Sequence, residues 1–436
     1  MLEWSKKITF PFLRNFFFFL FAYIPYAPIR RVNKPNLNGP MLWCSNHSNF
    51  LCDVVVPGYE PPVPTKFLGK APLFRPGVGG FLRYCGALPL IRAQDVRKMA
   101  QAGADKGQVN KDSFAEATKA LIEGHSIAIY PEGTSIVIPG LKLPLKTGAV
   151  RLAFGTAEST NFKLNLRLQP VGLEFTRRTR LLSGLTIRYG QAIYIRDYKE
   201  QYLKDPEAAV RLVNDKLTEE MIGVCAHFDS MDDVAYARRI YLSGLSDSMF
   251  DLSKAFGRLK KAAVLDHFLN EFKEFKELCR ERGFPLWVWL QRERWRNWPV
   301  WKKLGFVLGL PLWLSVLFWS LLNNAVAEYC IDFVAEFLSA DETEFMSIKV
   351  MLATFFLWPF YWLQFKYFPR FFYADLSQYL NIYSYFAVNL VTWYVSAHIK
   401  KSLRTVASQL IFGIRLGRNR DLCAQYAAIK RTIGSN

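Results

Sequence analysis

The sequence predicts an α/β domain in its first half and a helical, membrane-associated region in its last third. Three observations carry this. From Asn33 to about Tyr198, short apolar runs alternate with helical patterns, as βαβ crossovers and a sheet with covered faces require. Hydrophobic residues make up 51% and aromatics 16%, with Phe and Trp concentrated near the two ends. Lys and Arg number 56 against 37 Asp and Glu, a formal charge of +19, which suits an anionic partner such as nucleic acid, an acidic leaflet or a phosphorylated substrate.

The run Ile8 to Ile29 is apolar but holds Arg14 and Asn15, with Lys6 and Lys7 before it and Arg30 and Arg31 after it. Positive charge on both flanks disfavours spanning. A helix lying in one leaflet fits better, with a single anchor as the alternative. Pro25, Pro28 and the two arginines stand where a cleaved signal peptide would carry small residues. Met41 to Cys44 reads as a buried strand, and Ala87 to Ile91 as another. Ser113 to Glu123 has helical spacing (Phe114, Ala117, Leu121) and closes at Gly124. Ile127 to Tyr130 is a strand stopped by Pro131, and Gly148 to Phe154 opens a helix. Leu166 to Phe175 and Leu185 to Ile195 are further strands.

Pro206 to about Arg282 is charged and helical in pattern. Leu265, Phe268, Phe272 and Phe275 mark a packing face. Leu304 to Leu322 is an uncharged run long enough to span. It follows Arg292, Arg294, Arg296, Lys302 and Lys303, interleaved with Trp295, Trp298 and Trp301, an interfacial belt. A mostly acidic connector (Glu328, Asp332, Glu336, Asp341, Glu342, Glu344) leads to a second run, Val350 to Phe365, closed by Lys366 and Arg370. This predicts an in–out–in hairpin. A third segment, Tyr379 to Ala397, holds Asn381 and Asn389 and precedes a strongly basic stretch, so a non-spanning or re-entrant helix is expected. The expected organisation is an interfacial segment 1–32, a catalytic domain 33–200, a helical region 201–303, membrane helices 304–400 and a basic cytosolic tail 401–436.

Seven scattered cysteines without a C-x-x-C pair point to a reduced, cytosol-facing chain. No zinc-type Cys/His spacing occurs, so no metal is expected. No basic–aromatic nucleic-acid module occurs either, and much of the basic excess lies beside apolar segments, which favours a phospholipid bilayer as partner.

The chemistry centres on Ser45-Asn46-His47-Ser48-Asn49-Phe50-Leu51-Cys52-Asp53. A His just after a buried strand, with an Asp six positions on, suits a general base and its orienter. Gly86 to Arg92 delivers one Arg to a strand end, where its planar fork would suit a phosphate. Ile129-Tyr130-Pro131-Glu132-Gly133-Thr134-Ser135 ends a strand in a carboxylate, a Gly that permits close approach, and two hydroxyls. Glu132 could bind a substrate hydroxyl or hold Arg92. Lys146, opening a helix, adds a cation. Gln169-Pro170-Val171-Gly172 lies inside a strand. Cys44 and Cys52 bracket His47, so a Cys–His hydrolase is a rival. A non-catalytic scaffold is another.

These segments, in this order, resemble the phospholipid/glycerol acyltransferase superfamily, of the lysophosphatidate acyltransferase type, over roughly Asn33 to Ile195. The resemblance implies an acyltransferase-type mixed sheet flanked by helices. It implies His47 and Asp53 as the catalytic pair, and Arg92, Glu132, Gly133, Thr134, Ser135 and Lys146 as acceptor-binding residues. It implies direct transfer from acyl-CoA or acyl carrier protein to a glycerol-phosphate-type acceptor, with no cofactor beyond the thioester co-substrate. The usual pattern has four residues between His and Asp, and this chain has five. In that, and in Asn110 to Phe114, Leu143 to Lys146 and Pro170 to Leu173, it is similar to the fungal glycerol-3-phosphate/dihydroxyacetone-phosphate acyltransferases. The residues after Ser135 (Ile136, Val137, Ile138, Pro139) depart from the polar, basic stretch of that branch, so a lysophosphatidate acceptor stays open.

Overall fold

The structure, a computed structural model, describes residues 15–71, 74, 76, 78–90, 106–135, 140–243, 245–246, 248–283, 286, 288, 295, 298–367, 381–416 and 420–434. The chain divides into two compact units, 1–178 with 183–227, and 179–182 with 228–436.

The first unit is built on an eight-stranded mixed sheet. In chain order come helix α1 (Asn15–Tyr26), β1 (Ile29–Val32), β2 (Met41–Ser45), α2 (Phe50–Tyr59), β3 (Thr65–Lys70), α3 (Val78–Tyr84) and β4 (Ala87–Leu90). Then follow α4 (Lys106–Ile122), β5 (Ser126–Ile129), α5 (Gly148–Ser159), β6 (Arg167–Phe175), β7 (Leu185–Tyr189), β8 (Ile193–Tyr194), α6 (Lys199–Lys204) and α7 (Pro206–Val224). The spatial order is β1-β7-β6-β2-β5-β3-β4, with β8 also on β6. Strands β2 to β6 run parallel, whereas β7 and β8 run against β6, and β1 follows β7. The parallel centre is covered on its faces by helices, which is why β2 and β5 are buried at every position.

Two positions show how the helices seat. A Cβ on Gly172 of β6 would strike the Val224 carbonyl group, its carbon at 2.6 Å, so only glycine lets the end of α7 lie on the sheet. Pro170 interrupts a central strand, but it lies where the chain passes from β7 to β8. There the ladder is broken, and the Pro170 carbonyl accepts from Gly190 N at 3.0 Å. Helix α7 starts on Asp205, whose side chain accepts from Ala208 N at 3.0 Å, with Pro206 in the first turn.

Several expected boundaries move. Ile29 to Val32 is not part of an interfacial segment: it forms β1, parallel to β7. The described part of the N-terminal helix ends at Tyr26 because Pro28 follows and the strand begins. Helices α6 and α7 belong to the first unit, since Val210, Val213, Leu217 and Met221 join the core under the sheet. The single strand expected over Leu185 to Ile195 is two, β7 and β8. Strand β3 and helix α2, which the pattern did not single out, complete the sheet and its face.

The second unit is helical: α8 (Met231–Ser243), α9 (Met249–Lys261), α10 (Leu265–Glu281), α11 (Val300–Leu308), α12 (Leu310–Leu338), α13 (Glu342–Tyr367), α14 (Ile382–Leu416) and α15 (Arg420–Gly434). Leu265, Phe268, Phe272 and Phe275 are all buried, a packing face as their spacing predicts. Helices α12 and α13 are long and apolar enough to cross a membrane. The acidic connector is not a loop. Glu328, Asp332 and Glu336 lie within α12, Lys349 pairs with Asp332, and Lys400 approaches Glu328 to 3.7 Å. The turn is only Ser339 to Asp341, where Asp341 accepts from Thr343 N at 2.7 Å and starts α13.

From Ile382 on, the third segment is the first half of a 35-residue helix, α14. Tyr385 donates to Asn323 Oδ1 at 2.8 Å and Ser396 accepts from Ser320 at 3.0 Å. Residues eleven apart on α14 thus both reach α12 through polar side chains. The residues after 400 are no free tail. Leu422, Tyr426, Ile429 and Ile433 of α15 are buried, Asp421 accepts from Arg282 at 2.7 Å, and the Tyr426 ring lies 6.3 Å from that of Phe275 on α10.

Candidate active site

Strands β2 and β5 are parallel neighbours with Cys44 opposite Ile129, so the segments after them leave the same edge of the sheet. Crevices outside the carboxyl ends of parallel strands are where open α/β sheets bind ligands. The segment after β2 carries His47, and the one after β5 carries Glu132.

His47 Nδ1 lies 3.0 Å from Asp53 Oδ2. The same oxygen accepts the backbone N–H of Ser48 and of Asn49, each at 2.6 Å. Asp53 is fully buried and sits in the first turn of α2, where the helix dipole favours a carboxylate. The extra residue between His47 and Asp53 is absorbed in the turn, with Asn49 at φ −148°, ψ 41° and Phe50 at φ +42°. Six positions along the chain therefore still place the carboxylate on the imidazole. The His47 side chain keeps 18% exposure. Among the described residues no group is hydrogen-bonded to its Nε2, so that nitrogen is open to a ligand.

Glu132 is buried, and both its oxygens are engaged. Oε2 accepts from His47 N at 2.8 Å and Oε1 from Lys142 N at 2.9 Å. Burial pushes its pKa up to about 7, against the lowering effect of those two donors. In this structure Glu132 clamps the backbone of His47, rather than presenting a free carboxylate to a substrate hydroxyl. Gly133 adopts φ +73°, and a Cβ there would fall 2.6 Å from both Cδ and Cε of Lys146. Lys146 thus lies over the turn that contains Gly133, and its backbone N–H donates to Pro131 O at 2.8 Å. Thr134 Oγ1 donates to Ser135 O at 3.3 Å, and both residues are half-buried. Strand β4 ends at Leu90 on the same edge of the sheet, and Arg92 lies outside the described residues. Cys44 and Cys52 are fully buried, and burial raises the Cys44 thiol far above its usual pKa, so neither is set up as a thiolate nucleophile.

Sequence reasoning gave no role to Tyr130 or Asn46. The Tyr130 ring stacks on the His47 imidazole with centroids 4.3 Å apart at 22°. Asn46 bridges to β6, donating to Leu173 O at 2.9 Å and accepting from Leu173 N at 2.7 Å. Adjacency to His47 in sequence was the signal for Asn46; Tyr130 reaches the imidazole only because β5 pairs with β2.

Residues 28–173 match the family model described as Acyltransferase. Residues 28–173 are an acyltransferase-family domain. The match begins just ahead of β1 and ends in β6, so the acyltransferase domain holds His47, Asp53, Glu132 and Lys146 together. Among solved structures, the chain is similar to the crystal structure of the 1-acyl-sn-glycerophosphate (LPA) acyltransferase PlsC from Thermotoga maritima. The TM-score is 0.34 and the identity 17%, over 50% of this chain and 82% of that one. No curated protein matches the sequence.

Proposed function

We propose that the chain is a membrane-bound O-acyltransferase of glycerolipid synthesis. It moves a fatty acyl group from acyl-CoA or acyl carrier protein to glycerol 3-phosphate or dihydroxyacetone phosphate, with its catalytic domain facing the cytosol. The carrying observation is the His47–Asp53 pair at the carboxyl edge of the sheet, inside a segment that matches an acyltransferase family. Asp53 holds the imidazole by Nδ1, which leaves Nε2 to accept the proton of the acceptor hydroxyl. The freed oxygen attacks the thioester carbonyl and forms the new C–O bond. The tetrahedral intermediate then breaks its C–S bond, and the thiolate leaves with the proton carried by His47. No acyl-enzyme forms. Arg92 would hold the acceptor phosphate, with Lys146 as the second candidate for it, and Gly133, Thr134 and Ser135 would line the acceptor's seat. Glu132 acts through His47, as a positioning residue.

The test is incubation of detergent-purified protein with labelled acyl-CoA and each acceptor, followed by mass spectrometry beside His47→Ala. Lysophosphatidate made from glycerol 3-phosphate, and absent with the variant, is the expected result. Phosphatidate formed only from added lysophosphatidate would keep the chemistry and change the acceptor. If folded protein gives no His47-dependent transfer, with acyl carrier protein also tried as donor, the catalytic reading is wrong and the scaffold reading gains.

A further inference from the structure

The turn that presents His47 is strained backbone. A bulky residue at positive φ, as Phe50 is at +42°, is strained and persists only where its surroundings over-determine it. The site depends on this turn, because the amides of Ser48 and Asn49 hold the same Asp53 oxygen that His47 meets.

A closed ring of hydrogen bonds supplies the constraint. Asn49 Nδ2 donates to the Tyr26 hydroxyl at 2.6 Å, Tyr26 donates to the Arg178 carbonyl at 2.6 Å, and Arg178 Nη1 donates to the Ser48 carbonyl at 2.9 Å. The Ser48–Asn49 peptide closes the ring. Tyr26 is fully buried, with its ring edge-on to Phe175 at 4.6 Å. Burial also raises its pKa well above the usual phenol value, which keeps it a donor.

Tyr26 is the last residue of α1. That helix turns Phe18, Phe21 and Ala22 inward, and Phe18 stacks on Tyr59 of α2 at 3.8 Å. Its other face leaves Phe16, Phe19 and Tyr23 exposed. One end of an aromatic-faced helix is therefore hydrogen-bonded into the turn that aims the His–Asp pair.

We propose that Tyr26 is a positioning residue of this site: through Asn49 and Arg178 it locks the peptide whose amides hold Asp53, and so ties the seating of α1 to the geometry of the His47–Asp53 pair. This rests on the acyltransferase reading above. Full-length wild type, His47→Ala, Tyr26→Phe, Asn49→Ala and the Tyr26→Phe/Asn49→Ala double variant would be compared in phospholipid vesicles, using the acceptor that the wild type acylates. Tyr26→Phe is expected to lower kcat about ten- to a hundredfold, the scale of a small misplacement of a catalytic group, with the KM for acyl-CoA within about twofold. Asn49→Ala should match it, and the double variant should be no worse than either single one. Wild-type kcat in Tyr26→Phe, or losses that multiply in the double variant, would overturn the proposal. Loss of kcat in step with the unfolded fraction seen by circular dichroism would do the same.

The imidazole can also be followed without catalysis, by nitrogen NMR of histidine-labelled protein with His47→Ala to assign the signal. A single tautomer in the wild type and a mixture in Tyr26→Phe is the expected pair of spectra, and an unchanged spectrum rejects the proposal. Absence of any His47-dependent activity in wild type would instead count against the acyltransferase reading, and the NMR comparison would still decide the role of Tyr26.

Discussion

Asp53 gathers three donors on one buried oxygen: the His47 ring and the amides of Ser48 and Asn49. Asp53→Asn keeps the shape but can turn an N–H₂ toward two backbone N–H groups, and it no longer fixes the tautomer that leaves Nε2 as acceptor. The expected loss is about a thousandfold or more in kcat, by analogy with amide-for-carboxylate exchange in other His–Asp pairs, measured under saturating substrates. Glu132 invites a pH experiment. Its folded pKa of about 7 lies above the ordinary 4.5, so the folded protein holds this proton more tightly than the unfolded chain does. The stabilisation is complete below about 4.5 and is lost as pH rises through about 7. Glu132→Gln cannot titrate, so the stability difference between wild type and variant, read by denaturant unfolding, should shift against the wild type across that window. A constant difference would reject the assignment. His47 and Asp53 were legible because they are six positions apart on one turn. The clamp from Glu132 was not, because it depends on β2 and β5 being neighbours across 85 residues of chain. Tyr26 reads in sequence as one more aromatic in an apolar run.

Helix α2 is held at both ends. Its first turn carries Asp53, and just past its last turn Glu60 is buried. Glu60 accepts from Arg31 Nε at 2.8 Å, Lys34 Nζ at 2.8 Å and the Tyr189 hydroxyl at 2.9 Å. Burial pushes the Glu60 pKa up, but the bonds from Arg31 and Lys34 outweigh it and leave the value below normal. These contacts tie α2 to β1, to the stretch after it and to β7. Glu60→Ala would remove the buried acceptor shared by Arg31, Lys34 and Tyr189; the two cations are a third or more exposed and can turn to solvent, so the expected cost is about 1–3 kcal/mol, read as a lowered denaturation midpoint. Gly172→Ala should cost about 1–3 kcal/mol by overpacking, since the Val224 carbonyl blocks the Cβ. The strands β2, β5 and β6 were legible as apolar runs bounded by breakers. Helix α2 was hidden because Val54 to Val56, Pro57 and Gly58 are poor helix formers, and its fold is imposed by the Asp53 and Glu60 anchors. Strand β3 was hidden because Lys66, Gly69 and Lys70 break its apolar pattern.

At the scale of the molecule, two forces point to a membrane and they differ in their response to salt. The formal charge of +19 attracts an anionic surface, and that attraction fades as the screening length falls from about 30 Å at 0.01 M salt to about 3 Å at 1 M. The apolar surface of α12 and α13 does not fade: Phe318, Phe337 and Phe355 are each more than 60% exposed within the chain itself. Sequence located both runs but ended the first too early. It read Glu328, Asp332 and Glu336 as a connector because their partners, Lys349 and Lys400, lie on other helices. It also read the basic C-terminal stretch as a tail, because the buried side of α15 is a narrow stripe of four residues. With those acids carried on α12, insertion of these helices would rest on the unpaired apolar surface rather than on an acidic loop. Membranes from cells expressing the full chain should therefore lose little protein to a 1 M salt wash and release it in detergent. Substituting Phe318 and Phe355 by Lys should make the protein salt-extractable. Complete release of the unaltered chain by salt alone would mean that the basic surface, and not the hairpin, holds it.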